Sequence, residues 1–320
     1  MNDPLPGREL LRYAEQLKPR SRVLDAGCGE GKNAIFLAEQ GHIVDAFSIS
    51  AAGIAGAKRR AAERRLDIRF WLEDMSGFGF RRKYDAILSY DTLHMPEKAG
   101  RDSFLRLARE HTKPGGLHFI GVFTNRLPPA AYAFSKSLFA AGELPAQYAG
   151  WDIVHHAQGV QEDQLLGGAA YECSYERIVA RKPIFRHITE NKRDFLPLLM
   201  LSGKEEREIG RCLDRGGLFA LYLGEELVGA GVVTREEDDV LELQAIAVTE
   251  CRRRQRWGVQ LVKFLLGHYR GKGKTMLVGT GNESEAVQFY RHCGFHVSGY
   301  DYADGDSSRC KVYLAIDLGG

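Results

Sequence analysis

Three glycines at alternate positions, Gly27, Gly29 and Gly31, follow an apolar run at residues 23–26 and precede a helical pattern that starts at Asn33. Such a turn lets backbone N–H groups approach a ligand without Cβ atoms in the way. The helix that follows adds its positive N-terminal end. Asp25, at the strand end, can accept from a ligand amine or hydroxyl, and Cys28 rides in the same loop. One glycine would serve an ordinary strand–helix turn, so three predict a cofactor loop. Farther along, Tyr90, Asp91 and His94 follow a strand-like run. They offer groups that orient or deprotonate an acceptor, against the plainer reading of a solvated loop with structural polar residues.

A second region combines an apolar strand pattern at 241–248, a basic segment at 252–256 and a helical pattern from Gly258. A strand that ends in a basic loop at a helix N-terminus is an anion site suited to a pyrophosphate. Read alone, the arginines are equally a solvated charge run or a nucleic-acid patch. The set His292-Cys293-x-x-His296 has metal-ligand residue types, but it straddles a helix end and a Gly-Phe turn. Its ligands would not converge, and no metal is expected. His155 and His156 are neighbours on a strand and point to opposite faces. The acidic run 236–239 reads as a solvated hairpin turn, or as an attractor for a cationic amine. Tyr132, Phe134, Phe139 and Tyr148 are either packing or the cap of an acceptor pocket.

Composition bounds the class. Lys and Arg number 44 against 42 Asp and Glu, a net charge of +2 over 320 residues. A general nucleic-acid binder would show a clear basic excess. Glycine is high, 36 of 320 or about 11% against roughly 7% on average. No apolar run approaches the roughly 18 residues that span a bilayer. The polar N-terminus carries no signal-peptide core. The six cysteines form no Cys-x-x-Cys pair. The expectation is a cytoplasmic protein.

The elements that must position these residues fall into two patterns that meet at Arg181-Lys182-Pro183. Residues 1–182 alternate strands (22–25, 42–49, 67–72, 84–90, 117–124) with helices (33–40, 51–65, 101–110). That implies a parallel, doubly wound sheet, closed by strands at 151–156 and 171–181. Residues 183–320 read as a strand at 184–189, helices at 192–201 and 204–215, and a hairpin at 218–234. Strands at 241–248, 275–279 and 311–317 follow, with helices at 258–269 and 284–293.

Residues 1–182 resemble the class I S-adenosylmethionine-dependent methyltransferases, with a tellurite-resistance-like run Gly-Cys-Gly-Glu-Gly-Lys-Asn-Ala-Ile-Phe-Leu-Ala. The resemblance rests on Asp-x-Gly-x-Gly-x-Gly, Tyr84-Asp85-Ala86-Ile87 and Lys113-Pro114-Gly115-Gly116. It implies that Asp25, Gly27, Cys28 and Gly29 line the methionine and ribose part of S-adenosylmethionine and that Asp74 and Met75 reach the adenine. Tyr90, Asp91 and His94 fall on the acceptor side. The family's ribose-binding acid falls on Ser48; a hydroxyl cannot make the bidentate, charge-assisted contact of a carboxylate.

Residues 183–320 resemble the GNAT family of acyl-coenzyme A-dependent N-acyltransferases. The motifs are the 246–266 strand, loop and helix, Gly279-Thr280-Gly281-Asn282, and Tyr290-Arg291-His292-Cys293-Gly294-Phe295. The resemblance implies that the backbone at Ile246 and Val248 binds a pantetheine arm. Arg253, Arg254, Trp257 and Gly258 belong to the pyrophosphate loop, and Asn282 positions cofactor or backbone. Tyr290 is the general acid and Glu242 the base. The family loop's middle glycine falls on Arg256 in the ungapped register and on Gly258 after a two-residue shift, which puts Gln260 on the last position.

The expected fold is therefore α/β: a doubly wound Rossmann-like methyltransferase sheet at 1–182 and a mixed-sheet GNAT α+β domain at 183–320. The expected cofactors are S-adenosylmethionine and acetyl-CoA, and the partners small-molecule acceptors rather than nucleic acid or membrane. Two other readings stand beside this one: an active acetyltransferase with a scaffold or sensor domain, and a non-enzymatic binding protein with both sites degraded.

Overall fold

The computed structural model describes residues 6–126, 135–164, 170–281, 285–302 and 310–319. The chain divides into two compact units, Met1–Lys182 and Pro183–Gly320.

In the first unit the elements are α1 (Arg8–Tyr13), β1 (Arg22–Ala26), α2 (Lys32–Glu39), β2 (Ile43–Ser48), α3 (Ala51–Glu63), β3 (Ile68–Leu72), β4 (Tyr84–Tyr90), α4 (Lys98–Glu110), β5 (Thr112–Thr124), α5 (Glu143–Gln147), β6 (Asp152–Gln164) and β7 (Ala170–Arg181). The sheet order is β3-β2-β1-β4-β5-β7-β6. Strands β1 to β5 run parallel, and β7 and β6 close the sheet antiparallel. Helices cover both faces, so the inner strands are apolar on both. Val23 packs into one core with Leu37, Ala57 and Phe119. Its neighbour Leu24 packs into the other with Phe47, Ile87 and Phe104. Ile54, Ala57 and Ala61 recur at helical spacing and form the buried stripe of α3. Lys113 to Gly116 sit in the register shift between β4 and β5, where a Cβ on Gly116 would lie 2.8 Å from the Asp85 carbonyl.

The second unit holds β8 (Ile184–Ile188), α6 (Leu196–Leu199), α7 (Glu206–Arg215), β9 (Gly217–Leu223), β10 (Glu226–Glu237), β11 (Val240–Val248), α8 (Trp257–Tyr269), β12 (Thr275–Gly281), α9 (Glu285–His292), β13 (His296–Tyr302) and β14 (Cys310–Asp317). The order β13-β14-β12-β11-β10-β9-β8 is antiparallel except for the β11–β12 pair. One core lies under α8 and α9 and the other under α6 and α7. Strand β13 is absent from the sequence reading, which placed His296 in a turn. The strand is a polar edge, His-Val-Ser-Gly-Tyr-Asp-Tyr, and edge strands lack the apolar run that announces a central one. The acidic run 236–239 bonds within its own unit: Glu236 accepts from Arg215 at 2.9 Å and Asp239 pairs with Lys274 at 2.6 Å. Among the described residues no helix is long and apolar enough to cross a membrane.

Candidate active sites

In the first unit the chain runs outward from β1 through β2 and β3, then returns to β4 on the other side. That reversal opens a crevice between the loops after β1 and β4, at the carboxyl ends of the strands. Gly27, Gly29 and Gly31 all adopt left-handed backbone, with φ of 80°, 53° and 80°. Their surroundings differ. A Cβ on Gly27 would lie 2.6 Å from the Thr92 side chain, and one on Gly31 2.9 Å from Ala57 Cβ. A Cβ on Gly29 would meet nothing within 4 Å. Packing fixes the outer two glycines, while Gly29 borders open space and is where a ligand can approach. Cys28 turns its thiol into the core, where burial pushes its pKa up, so only its backbone serves the loop.

Asp25 is 1% exposed and its Oδ2 has no partner. Burial raises its carboxyl to about 7, against the lowering effects of the Ala34 backbone and Lys32. A buried carboxylate oxygen without a donor is costly unless a ligand supplies one. Ser48 closes β2 and accepts from the Ser50 N–H at 3.2 Å. Asp45 is taken up elsewhere, accepting from the Tyr84 hydroxyl at 3.0 Å. Asp74 accepts from the Ser76 N–H and hydroxyl, at 2.8 and 2.5 Å, and these bonds hold its carboxyl below the usual range. Met75 packs into the core with Phe47 and Phe78, so at that position the backbone, not the thioether, is offered to the crevice.

The Tyr90 hydroxyl is buried without a partner; burial first, then the Glu9 carboxylate, pushes its pKa up. Asp91 has a left-handed φ of 54° and lies 3.9 Å from Arg177. The His94 ring packs against Phe123, with centroids 4.9 Å apart. Phe139 and Tyr148 are fully buried in the core, so they pack rather than cap; Tyr132 and Phe134 lie outside the described residues. Sequence reasoning missed Glu9 and Arg177. Glu9 is buried on α1, its Oε2 is unpartnered, and Arg177 lies 3.7 Å away on β7. They stand at opposite ends of the unit's sequence, and no local pattern links them.

In the second unit a cavity of about 540 Å³ opens where β11 and β12 part. The two strands pair only over Val240–Glu242 and Thr275–Leu277. Beyond that point Leu243 to Val248 and Val278 to Thr280 form opposite walls. The β10–β11 ladder shows why they diverge. Val233 pairs with Leu243 and Val232 with Ala245, so Gln244 is an extra residue, a bulge that bends β11. Past Glu242, β11 has no strand partner on its β12 side, which leaves the backbone of that edge at Ile246 open to a ligand arm; the Val248 carbonyl accepts from Arg253 Nε at 3.4 Å.

Arg252 to Arg254 and Arg256 gather at one end of the cavity, beside the start of α8. Arg252 is held by Glu226 through contacts of 3.0 and 2.5 Å. Arg256 precedes α8 with a left-handed φ of 67° and no side-chain cap. Arg254 is left-handed as well, with a φ of 59°, whereas Gly258 is not. Gly258 has a different reason to be small: a Cβ there would press on the Phe289 ring at 3.3 Å. Trp257 is buried, with its indole N–H unpartnered. Tyr290 lines the cavity and is 7% exposed; burial and then Cys293 push its phenol up, so it stays protonated at neutral pH. Glu242 is not part of the cavity wall, whose described carboxylate is Glu285. Asn282 lies outside the described residues. Sequence reasoning also missed Ser202, Lys204 and Gln244, which line the cavity where the strands begin to part.

A methyltransferase-domain family matches residues 23–116, and an acetyltransferase (GNAT) domain family matches residues 214–297. TehB of Haemophilus influenzae is 27% identical over 166 residues, half of this chain and 57% of its own length. The chain spans little more than half the length of these curated relatives. The crystal structure of TehB from that organism shares the first unit's fold, with a TM-score of 0.50 at 23% identity over 55% of this chain and 62% of that one. The uncharacterized N-acetyltransferase YvbK of Bacillus subtilis is 29% identical over 143 residues, 40% of this chain and 92% of its own length.

Proposed function

From a chain that joins a methyltransferase domain to a GNAT acetyltransferase domain, we propose a two-domain transferase that modifies small molecules. Residues 1–182 transfer a methyl group and residues 183–320 transfer an acetyl group to an amine. The observation that carries the reading is the parting of β11 from β12 beside a basic helix N-terminus, with the buried, protonated Tyr290 on the wall.

The residues fit both cofactors. In the first domain the open backbone at Gly29 and the unpartnered Asp25 Oδ2 suit S-adenosylmethionine, with Gly27 shaping the turn, Ser48 toward the ribose and Asp74 and the Met75 backbone toward the adenine. When bound, that cofactor supplies an electrophilic methyl group. Tyr90, Asp91 and His94 lie on the acceptor side, where the chain's task is to align the attacking atom and exclude water. In the second domain Arg253, Arg254, Arg256 and the first turn of α8 (Trp257, Gly258) would hold the pyrophosphate of acetyl-CoA, and the β11 edge at Ile246 and Val248 would receive its arm. The amine nitrogen bonds to the acyl carbon as the carbon–sulfur bond breaks. Tyr290 donates its proton to the departing sulfur, and the amine's own proton leaves to Glu242 or Glu285 through solvent. The free thiols among the described cysteines accord with a cytoplasmic protein.

Calorimetric titration and thiol release test this directly. Acetyl-CoA is expected to bind, an amine panel to release free thiol, and Tyr290→Phe to slow release about 100-fold at saturating acetyl-CoA. Binding without turnover on any amine would leave the domain a binding module. Ser48 favours a second reading, in which the first domain is a scaffold or sensor. Its hydroxyl replaces a charged contact worth roughly 1.5–3 kcal/mol and already accepts from Ser50. A submicromolar dissociation constant for S-adenosylhomocysteine removes that reading.

A further inference from the structure

The second domain's cavity has two chemically different ends. Arg252 to Arg256 sit beyond Val248, whereas Ser202, Lys204 and Gln244 sit where β11 leaves β12. Four residue steps along the strand separate Gln244 from Val248, about 13 Å at the usual rise. The arginine end answers the pyrophosphate. The other end is left for the acceptor, an assignment that rests on the acetyltransferase reading of this site.

That end is built rather than incidental. Glu236 accepts from the Gln244 Nε2 at 3.2 Å, and also from Thr234 and Arg215. With its amide nitrogen so engaged, Gln244 must turn its Oε1 outward, where the Lys204 ammonium donates to it at 3.3 Å. The Glu208 carboxylate pairs with the same ammonium at 2.6 Å. An ammonium has three donors. The Lys204 head is thus pinned on the cavity wall with a donor remaining, and its side chain is only 19% exposed. The Ser202 hydroxyl on the same wall is buried and has no partner. A held cation and an unpartnered hydroxyl lining the same cavity make a site for an oxyanion.

We propose that the acyl acceptor is an amine that also carries a carboxylate, in the manner of an amino acid, and that Lys204 and Ser202 bind the carboxylate while the amine faces the thioester. The pair selects the acceptor and takes no part in the bond changes.

Thiol release from acetyl-CoA is measured with each of the twenty L-amino acids and with its carboxamide. At neutral pH the carboxamide has the larger free-base fraction, so a preference for the acid does not follow from amine basicity. The expected result is a kcat/KM at least tenfold higher for one or more acids than for the matching amides. Lys204→Met is expected to collapse that ratio to within about twofold, mainly through KM, and Lys204→Arg to restore part of it. Acetyl-CoA affinity measured by titration shows that the variants are folded. Equal turnover of acid and amide, or a ratio that survives Lys204→Met, overturns the carboxylate site and leaves the acetyltransferase standing. Failure of the wild-type protein to bind acetyl-CoA overturns both.

Discussion

Asp25 shows how a single side chain ties stability to ligand binding. Its carboxyl rises from 3.8 to about 7 because it is buried. Folding therefore takes up a proton between those values, and the first domain gains stability as pH falls through that window and loses it as pH rises. Asp25→Asn removes the buried charge. The expected outcome is a higher unfolding temperature at pH 8, a flattened pH dependence between 8 and 5, and at least tenfold weaker binding of S-adenosylhomocysteine. Unfolding curves across pH and one titration check all three. Lower stability for the asparagine variant at pH 8 would mean that the carboxylate is satisfied in the folded protein. Asp25 and its glycines are legible in the sequence because they are contiguous. Glu9 and Arg177 are not, because only the fold brings α1 and β7 within 3.7 Å of each other.

Among the elements, the turn into α8 carries two residues at odds with their backbone, Arg254 and Arg256. Arg256 holds a φ of 67°, a region that costs a non-glycine residue roughly 1–2 kcal/mol. Arg256→Gly is expected to recover part of that, about 0.5–1 kcal/mol, less the entropy that glycine adds to the unfolded chain. It also removes one positive charge from the arginine end of the cavity. A domain that becomes more stable yet binds CoA more weakly, by chemical denaturation and titration, is the expected result; tighter CoA binding would show that the side chain obstructs the loop. The sequence places this turn through its glycines and arginines but leaves two registers open, and its left-handed backbone falls on arginines that no local pattern marks. Strand β13 was not legible at all, because polar edge strands carry no apolar alternation. The Gln244 bulge was equally silent: an extra residue in a strand looks like any other until its partner strand is known.

At the scale of the whole molecule, each unit has its own pair of cores: those of β1–β5 in the first and those under α6–α9 in the second. A ligand that binds only the folded form stabilises the unit that holds it, by about 2.7 kcal/mol at a hundred times its dissociation constant. Scanning calorimetry is expected to show S-adenosylhomocysteine raising one transition and CoA the other. A single transition raised by either ligand would show that the two units unfold as one.

The bulge in β11 also sets the phase of the strand. Before Gln244, Leu241 and Leu243 face the core under α8; after it, Ile246 and Val248 face that side while Ala245 and Ala247 turn to the core under α6 and α7. Side chains alternate with a period of two, so one inserted residue exchanges odd for even. In a regular ladder the extra residue would turn Ile246 and Val248 to the face opposite Leu241 and Leu243. The bulge absorbs that residue and keeps the large side chains on one face, and the bulged residue itself accepts from Lys204 at the cavity wall.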